Sequence, residues 1–195
     1  MISNVYECLF EYDANTCIPV LAESYTNPDD CTWDVKIREN AYWHTGNKLF
    51  GDEKVQIKAE DVKWVMDWTM DPANGSKQQT NLSSVVSSVE VLDDFTLRFT
   101  TPEPKALFLF TLSRVMIFPK KAIDEGFDLN AWPVGSGAFK YVSYQTDDQV
   151  VLEKNSDYYI TPNVDEVIFK IIPDKSVSAI ALQNGEIDIT AQVLS

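Results

Sequence analysis

The chain has 195 residues, 45% of them apolar, and a formal charge of −14, which is apolar matter enough for one large packed domain or two small ones. That charge, with a pI near 4.3, argues against a nucleic-acid backbone or an anionic membrane surface as partner, because like charges repel. No apolar run approaches the ~18 residues of a membrane helix, and the opening M-I-S-N-V-Y-E-C-L-F-E-Y-D lacks the basic-then-apolar pattern of a secretion signal.

Residues 2–12 place Val5, Leu9 and Tyr12 on one helical stripe, with Tyr6 and Phe10 beside it, so the period predicts a helix. Asn27-Pro28-Asp29-Asp30 is a turn by composition. Trp33, Val35 and Ile37 then alternate with Asp34, Lys36 and Arg38, the rhythm of a half-buried strand. After Gly46 and Gly51, Val62, Val65, Met66 and Thr69 recur at helical spacing and predict an amphipathic helix that ends before Pro72. Residues 72–81 read as a polar surface connection. Val89 and Val91, Asp93-Asp94, and Phe95, Leu97 and Phe99 read as a hairpin, stopped by Pro102 and Pro104.

A short helix is predicted within 105–113. Gly135 and Gly137 stand two apart before a strand, where glycine permits positive φ or a close backbone approach. The run 167–172 is apolar on both faces, as a central parallel strand would be. Residues 176–183 predict a helix with Val177, Ile180 and Ala181 inward and a stop at Gly185. Ile187 and Ile189 restart a strand, so 167–189 reads as one right-handed βαβ unit.

Chemistry-bearing patterns are sparse. His44 is the single histidine, so any Ser-His-Asp or Cys-His site would have to use it; in Trp43-His44-Thr45-Gly46 it reads as a hydrogen-bonded turn residue. Val134 occupies the place where a nucleophile elbow around Ser136 needs glycine. The pairs Asp29-Asp30, Glu60-Asp61, Asp93-Asp94 and Asp147-Asp148 sit at turns or helix starts, where acids are solvated or cap backbone. There is no phosphate-cradling G-x-x-x-x-G-K-[ST]. The sequence therefore predicts no enzyme, no metal and no cofactor. Cys8, Cys17 and Cys31 are an odd set without C-x-x-C and are expected to be free thiols. A Cys17–Cys31 bridge, worth about 3 kcal/mol in the chain-entropy model, is the alternative. Tyr42, Trp43, Trp64, Trp68, Trp132, Tyr158 and Tyr159 suit either a ligand cleft or a core, and both readings stay open, so no ligand-binding residue is assigned.

I-R-E-N-A-Y-W-H-T-G at 37–46 followed by A-E-D-V at 59–62 resembles the signature of the peptide and nickel family of extracytoplasmic solute-binding proteins, which serve ABC importers. Further blocks resemble that family in the same order: V-Y-E-C-L at 5–9, I-P-V-L-A-E-S-Y at 18–25, V-E-V-L-D-D-F-T-L at 89–97, P-V-G-S-G-A-F-K at 133–140, N-S-D-Y-Y at 155–159 and L-Q-N-G-E-I-D-I at 182–189. Departures are local. Cys8 replaces a family glycine, which suggests a small buried residue on a helix. Lys58 replaces a threonine that would cap the following helix, so a hydroxyl cap of about 1 kcal/mol should be missing; residues 47–55 look like a surface insertion.

The resemblance implies an α/β, type II periplasmic-binding-protein-like lobe with a mixed sheet and a smaller inserted α+β domain. Domain I would be discontinuous, residues 1–20 with 130–195, and domain II would be residues 21–129. It implies ligand capture, most simply of peptides, for an ABC permease, in an extracytoplasmic and lipid-anchored setting. It also implies an N-terminal fragment lacking the signal, the first strand and the third domain, with one wall of its site and a tendency to self-associate. The alternatives are a secreted glycan-binding or glycan-cleaving domain, which would need a pair of carboxylates facing one cleft, and an adhesive domain without a small ligand.

Overall fold

The alternation at 33–37 and the hairpin pattern at 89–99 share a cause, since each has one apolar face to hide, and hiding both together builds the main sheet. The computed structural model describes residues 2–13 and 16–190. Its elements in chain order are helix α1 (Ile2–Val5), strands β1 (Phe10–Asp13), β2 (Thr16–Pro19), β3 (Ala22–Asp29) and β4 (Thr32–Ile37), helix α2 (Ala59–Met70), a 3-10 turn (Pro72–Asn74) and helix α3 (Gln79–Val85). Strands β5 (Ser88–Asp93) and β6 (Thr96–Thr100), helices α4 (Phe108–Leu112) and α5 (Lys120–Asp124), strands β7 (Phe139–Gln145), β8 (Gln149–Lys154) and β9 (Glu166–Lys170), and helix α6 (Lys175–Gln183) follow.

The main sheet has the order β3-β4-β6-β5. Val35 stands opposite Leu97 and Trp33 opposite Phe99, while Val91 and Val89 face the same two residues from the other side. Such cross-strand pairs gather one apolar face. Helix α2 lies against β5 and β6 and buries Val62, Val65, Met66 and Thr69, the four residues expected from the sequence. Each such apolar side chain contributes about 1.5–3 kcal/mol when fully buried. Lys58 occupies the N-cap of α2 without a side-chain hydrogen bond, because an ammonium has no lone pair to offer. Asp61 supplies the other half of the cap, accepting the Lys58 N–H at 2.8 Å, and Lys58 Nζ turns to Asp94 instead.

Two smaller sheets complete the fold: β1-β2, and β7-β8-β9. Val5, Phe139, Val150 and Leu152 form a core over the latter, with Tyr6, Val167 and Phe169 against it. Leu9 and Phe10 belong instead to the large core that runs through the main sheet to Ile117. The N-terminal segment thus enters both cores within six residues.

Several expectations are corrected. The helix expected over 2–12 stops at Val5, and residues 10–13 are strand β1. The backbone of Cys8 and Leu9 is taken by Val20, Leu21 and Ala22, a ladder that a helix would forgo. Cys8 is therefore half-buried between elements rather than on a helix; all three cysteines are free. The strand at 167–172 is not central and parallel: β9 pairs antiparallel with β8 and is an edge among the described strands. In α6, Ala181 is buried as expected, but Ser178 rather than Val177 or Ile180 joins it, and those two are each 54% exposed. The helix does end just before Gly185, which has φ +73°, and the Glu186 N–H donates to Ala181 O. Residues 187–190 form no strand among the described residues, so the βαβ unit is absent there. The polar stretch 72–81 holds the 3-10 turn and the start of α3; Leu82 is the single buried residue of that helix, too few for a periodic signal.

Candidate functional site

The two glycines at 135 and 137 act through close approach. Neither has positive φ, and a Cβ on Gly135 would lie 2.1 Å from Val5 O, one on Gly137 2.5 Å from Asn4 O. A side chain cannot share that space with backbone, so the sequence G-S-G lets residues 133–138 lie as a strap on the N-terminal segment. Gly137 N–H donates to Val5 O at 2.8 Å, and Gly135 O accepts the His44 N–H at 2.8 Å. The His44 ring continues the link: Nε2 lies 2.9 Å from Gly137 O and Gly135 N–H points to Nδ1 at 3.4 Å. That network assigns the Nε2–H tautomer, with Nδ1 as acceptor. Asn155 Nδ2 adds a second donor to Gly137 O at 3.0 Å. His44 is the hydrogen-bonded turn residue expected from the sequence, 2% exposed.

Burial lowers the His44 pKa to about 4, from an ordinary 6.5, with the nearby Lys140 charge acting in the same direction. A folded pKa below the unfolded one means that protons bind the unfolded chain first. The stability due to neutral His44 is present above about pH 6.5 and is lost as pH falls towards 4, about 3 kcal/mol for a shift of this size. Thermal unfolding followed across that window should show the decline. A His44 ring resonance that ionises at the ordinary histidine value would contradict it.

Glu7, 4% exposed, faces Ser136 of the strap. Its Oε1 accepts from Tyr158 OH at 3.2 Å and from Tyr159 OH. Tyr159 OH also approaches Val20 O, which Arg38 Nε reaches at 2.6 Å, and the Arg38 guanidinium lies 4.3 Å over the Tyr159 ring. Burial raises the Glu7 pKa, against the opposing influence of the Tyr159, Ser136 and Tyr158 hydroxyls and the charge of Arg38. Burial likewise pushes Tyr158 up to about 12. Sequence reading passed over Glu7; the available signal was a carboxylate set between Tyr6 and Cys8 in an otherwise apolar run.

Two concavities adjoin this joint. One, about 410 Å3, is lined by Asn47, Lys48, Phe127, Trp132, Tyr141 and Glu153 among others. Trp132, 42% exposed, meets the edge of Tyr141 at 5.8 Å and carries Lys48 Nζ 3.9 Å above its ring. The other, about 310 Å3, lies between Trp43, Phe50, Asp61 and residues 119–121. The seven aromatic residues noted in the sequence do not gather in one cleft. Trp43 is buried and stacked on Phe50; Trp64 and Trp68 pack round Phe118; Tyr42 sits under Lys54; Tyr158 and Tyr159 serve Glu7. Trp132 alone of the seven presents a substantially open ring. The loop 47–55, expected as a surface insertion, is anchored by Leu49, 3% exposed, which packs with Ala122 and Val134. Among the described residues no group of three His, Cys, Asp or Glu could hold a metal ion, and no helix is long and apolar enough to cross a membrane.

Comparison with known proteins gives concordant results. A Brucella ovis protein named as an ABC transporter peptide-binding protein is 32% identical over 197 residues, covering 95% of this chain and 36% of its own length. The glutathione-binding protein GsiB of Pectobacterium atrosepticum is 30% identical over 188 residues, covering 93% and 35%. The periplasmic binding protein DppA of Helicobacter pylori, solved with the peptide STSA, superposes with a TM-score of 0.83 at 31% identity, over 95% of this chain and 40% of that one. This chain therefore spans a little over a third of the length of these relatives, and its mixed α/β architecture is of the type II periplasmic-binding-protein class expected from the sequence. The model of the bacterial extracellular solute-binding proteins, family 5, matches residues 16–195, and the chain belongs to that family.

Proposed function

We propose that this chain is part of a binding protein that captures a peptide-class ligand outside the cytoplasm and delivers it to an ABC permease. Its relatives are solute-binding proteins, and the reading adds that no covalent chemistry is performed. The observation that carries it is the superposition on a DppA that holds a peptide, joined to the family match. A lipid anchor is part of the same proposal. The glycan-cleaving alternative has less support: the two carboxyl groups that burial shifts upward, Glu7 and Asp61, do not line a common concavity, since Asp61 lines the smaller one and Glu7 neither.

We also propose the division into domain I, residues 1–20 and 130–195, and domain II, residues 21–129. The packing of Val5 and Tyr6 with Phe139, Val150, Leu152 and Phe169 supports it, although Leu9 and Phe10 reach into the other core. Native-state hydrogen exchange should place Val5 in one protection group with β7 and β8. Exchange of that amide in step with β4 instead would remove the division.

Because the chain spans 40% of the peptide-bound relative, contacts from the rest of such a protein are missing from these 195 residues. Each lost charge-assisted contact weakens binding by about 1.5–3 kcal/mol, and each 1.4 kcal/mol is about tenfold in affinity. Calorimetric titration of the 195-residue chain with di- to pentapeptides should therefore show weak binding at most, with tight binding restored in a full-length relative-like protein. Micromolar oligosaccharide binding by the chain alone would favour the glycan reading. The exposed Ile168, Ile171, Val177, Ile180 and Ile189 support self-association of the chain, and a light-scattering mass that stays monomeric at high concentration would count against it.

A further inference from the structure

The joint between the strap, the N-terminal segment and the turn after β8 contains one buried carboxyl group whose arrangement is unlike that of a paired carboxylate. Glu7 makes no ion pair among the described residues: Arg38, the nearest cation named, lies on the Tyr159 ring and donates to Val20 O. All the full hydrogen bonds to the Glu7 carboxyl group fall on Oε1. Oε2 is buried with no partner, and so is Ser136 Oγ; the two belong to groups that face each other without reaching hydrogen-bond geometry. A charge held this way would keep most of its desolvation cost, since no cation touches it.

We propose that Glu7 is a neutral carboxylic acid in the folded protein at neutral pH, with Oε1 accepting from the tyrosines and the proton on Oε2, and that its ionisation loosens this joint. The groups that face it are Tyr158 and Tyr159 from the turn after β8, Ser136 from the strap, and Arg38 from the end of β4. Cys8 is its chain neighbour, and Glu11 lies beyond that thiol. Arg38 favours ionisation, and the burial of the whole group opposes it. The consequence is a clasp that is closed when protonated. A carboxyl group whose folded pKa lies above its unfolded value contributes stability that is fully present below the unfolded value and is lost as pH rises through the folded one. This slope is opposite to that of His44, which also bonds to the strap.

The direct test uses the whole chain with 13C-labelled glutamate side chains, the Glu7 resonance being identified by its loss in Glu7→Gln. At neutral pH that resonance should sit at the protonated position while the exposed glutamates sit at the ionised one. Thermal unfolding supplies the second readout. Glu7→Gln, which keeps one acceptor and one donor in the same shape, should match the wild-type midpoint near pH 4 and exceed it increasingly as pH rises from about 4.5 towards neutral, because there the unfolded wild-type chain ionises while folded Glu7 keeps its proton. Glu7→Ala should lower the midpoint throughout. A Glu7 resonance already ionised at neutral pH overturns the proposal. So does a Glu7→Gln protein as unstable as Glu7→Ala, since an amide would fail in that way only where a charge is required.

Discussion

Gly135→Ala is expected to cost roughly 3 kcal/mol or more, at the upper end of what overpacking does, and to lower the thermal midpoint by about 6–12 °C for a chain of this size. The added methyl would lie 2.1 Å from Val5 O and 2.8 Å from Val5 C, and neither is the movable end of a side chain. Relief requires the N-terminal segment to lift from the strap, which removes the Gly137 N–H to Val5 O bond and opens the core of Val5, Phe139 and Leu152. Gly75→Ala is the control. Gly75 has φ +64° with nothing within 4 Å of its Cβ position, so only the left-handed backbone cost of about 1–2 kcal/mol applies. Equal midpoints for the two variants would mean that the strap can shift at little cost, and would remove the reason given for glycine at 135.

The same positions show what was legible in the sequence. Two glycines flanking Ser136 announced a special backbone, and the choice between positive φ and close approach needed the partner chain, which comes from residues 4–5, more than 120 positions away. Strand β4 and helix α2 were legible because each buries one face and the other meets water, which leaves a period. Strand β1 was not: Val5, Leu9 and Tyr12 fit a helical stripe, yet Leu9 and Cys8 bond to residues 20–22, and a long-range ladder outweighs a local rhythm. The apolar run at 167–172 misled for a related reason. Its composition suited burial on both faces, but β9 is an edge among the described strands, with Ile168 46% exposed. Glu7 left no signal beyond a lone carboxylate in an apolar run, because its partners Ser136, Tyr158 and Tyr159 are far along the chain, and burial of a single glutamate has no sequence period.

Trp132, which sequence alone could not sort between core and cleft, is sorted by the cost of removing it set against that of a core ring, Phe108. Phe108→Ala is expected to lose about 3–5 kcal/mol. The ring is fully buried, stacks on Trp33 at 4.7 Å and meets Phe99 at 5.6 Å, so its deletion leaves a cavity walled by two other rings that the main sheet holds in place. Little collapse is available there, because Trp33 and Phe99 are fixed as a cross-strand pair. Trp132→Ala should cost about 1 kcal/mol or less, since that ring is 42% exposed and gives up only an edge contact with Tyr141 and a cation–π contact with Lys48, each worth roughly 0.5–1.5 kcal/mol before compensation by solvent. Urea unfolding of the two variants measures both. A Trp132→Ala loss as large as that of Phe108→Ala would make Trp132 a core residue, and the 410 Å3 groove beside it would then be a packing defect rather than a surface open to a ligand.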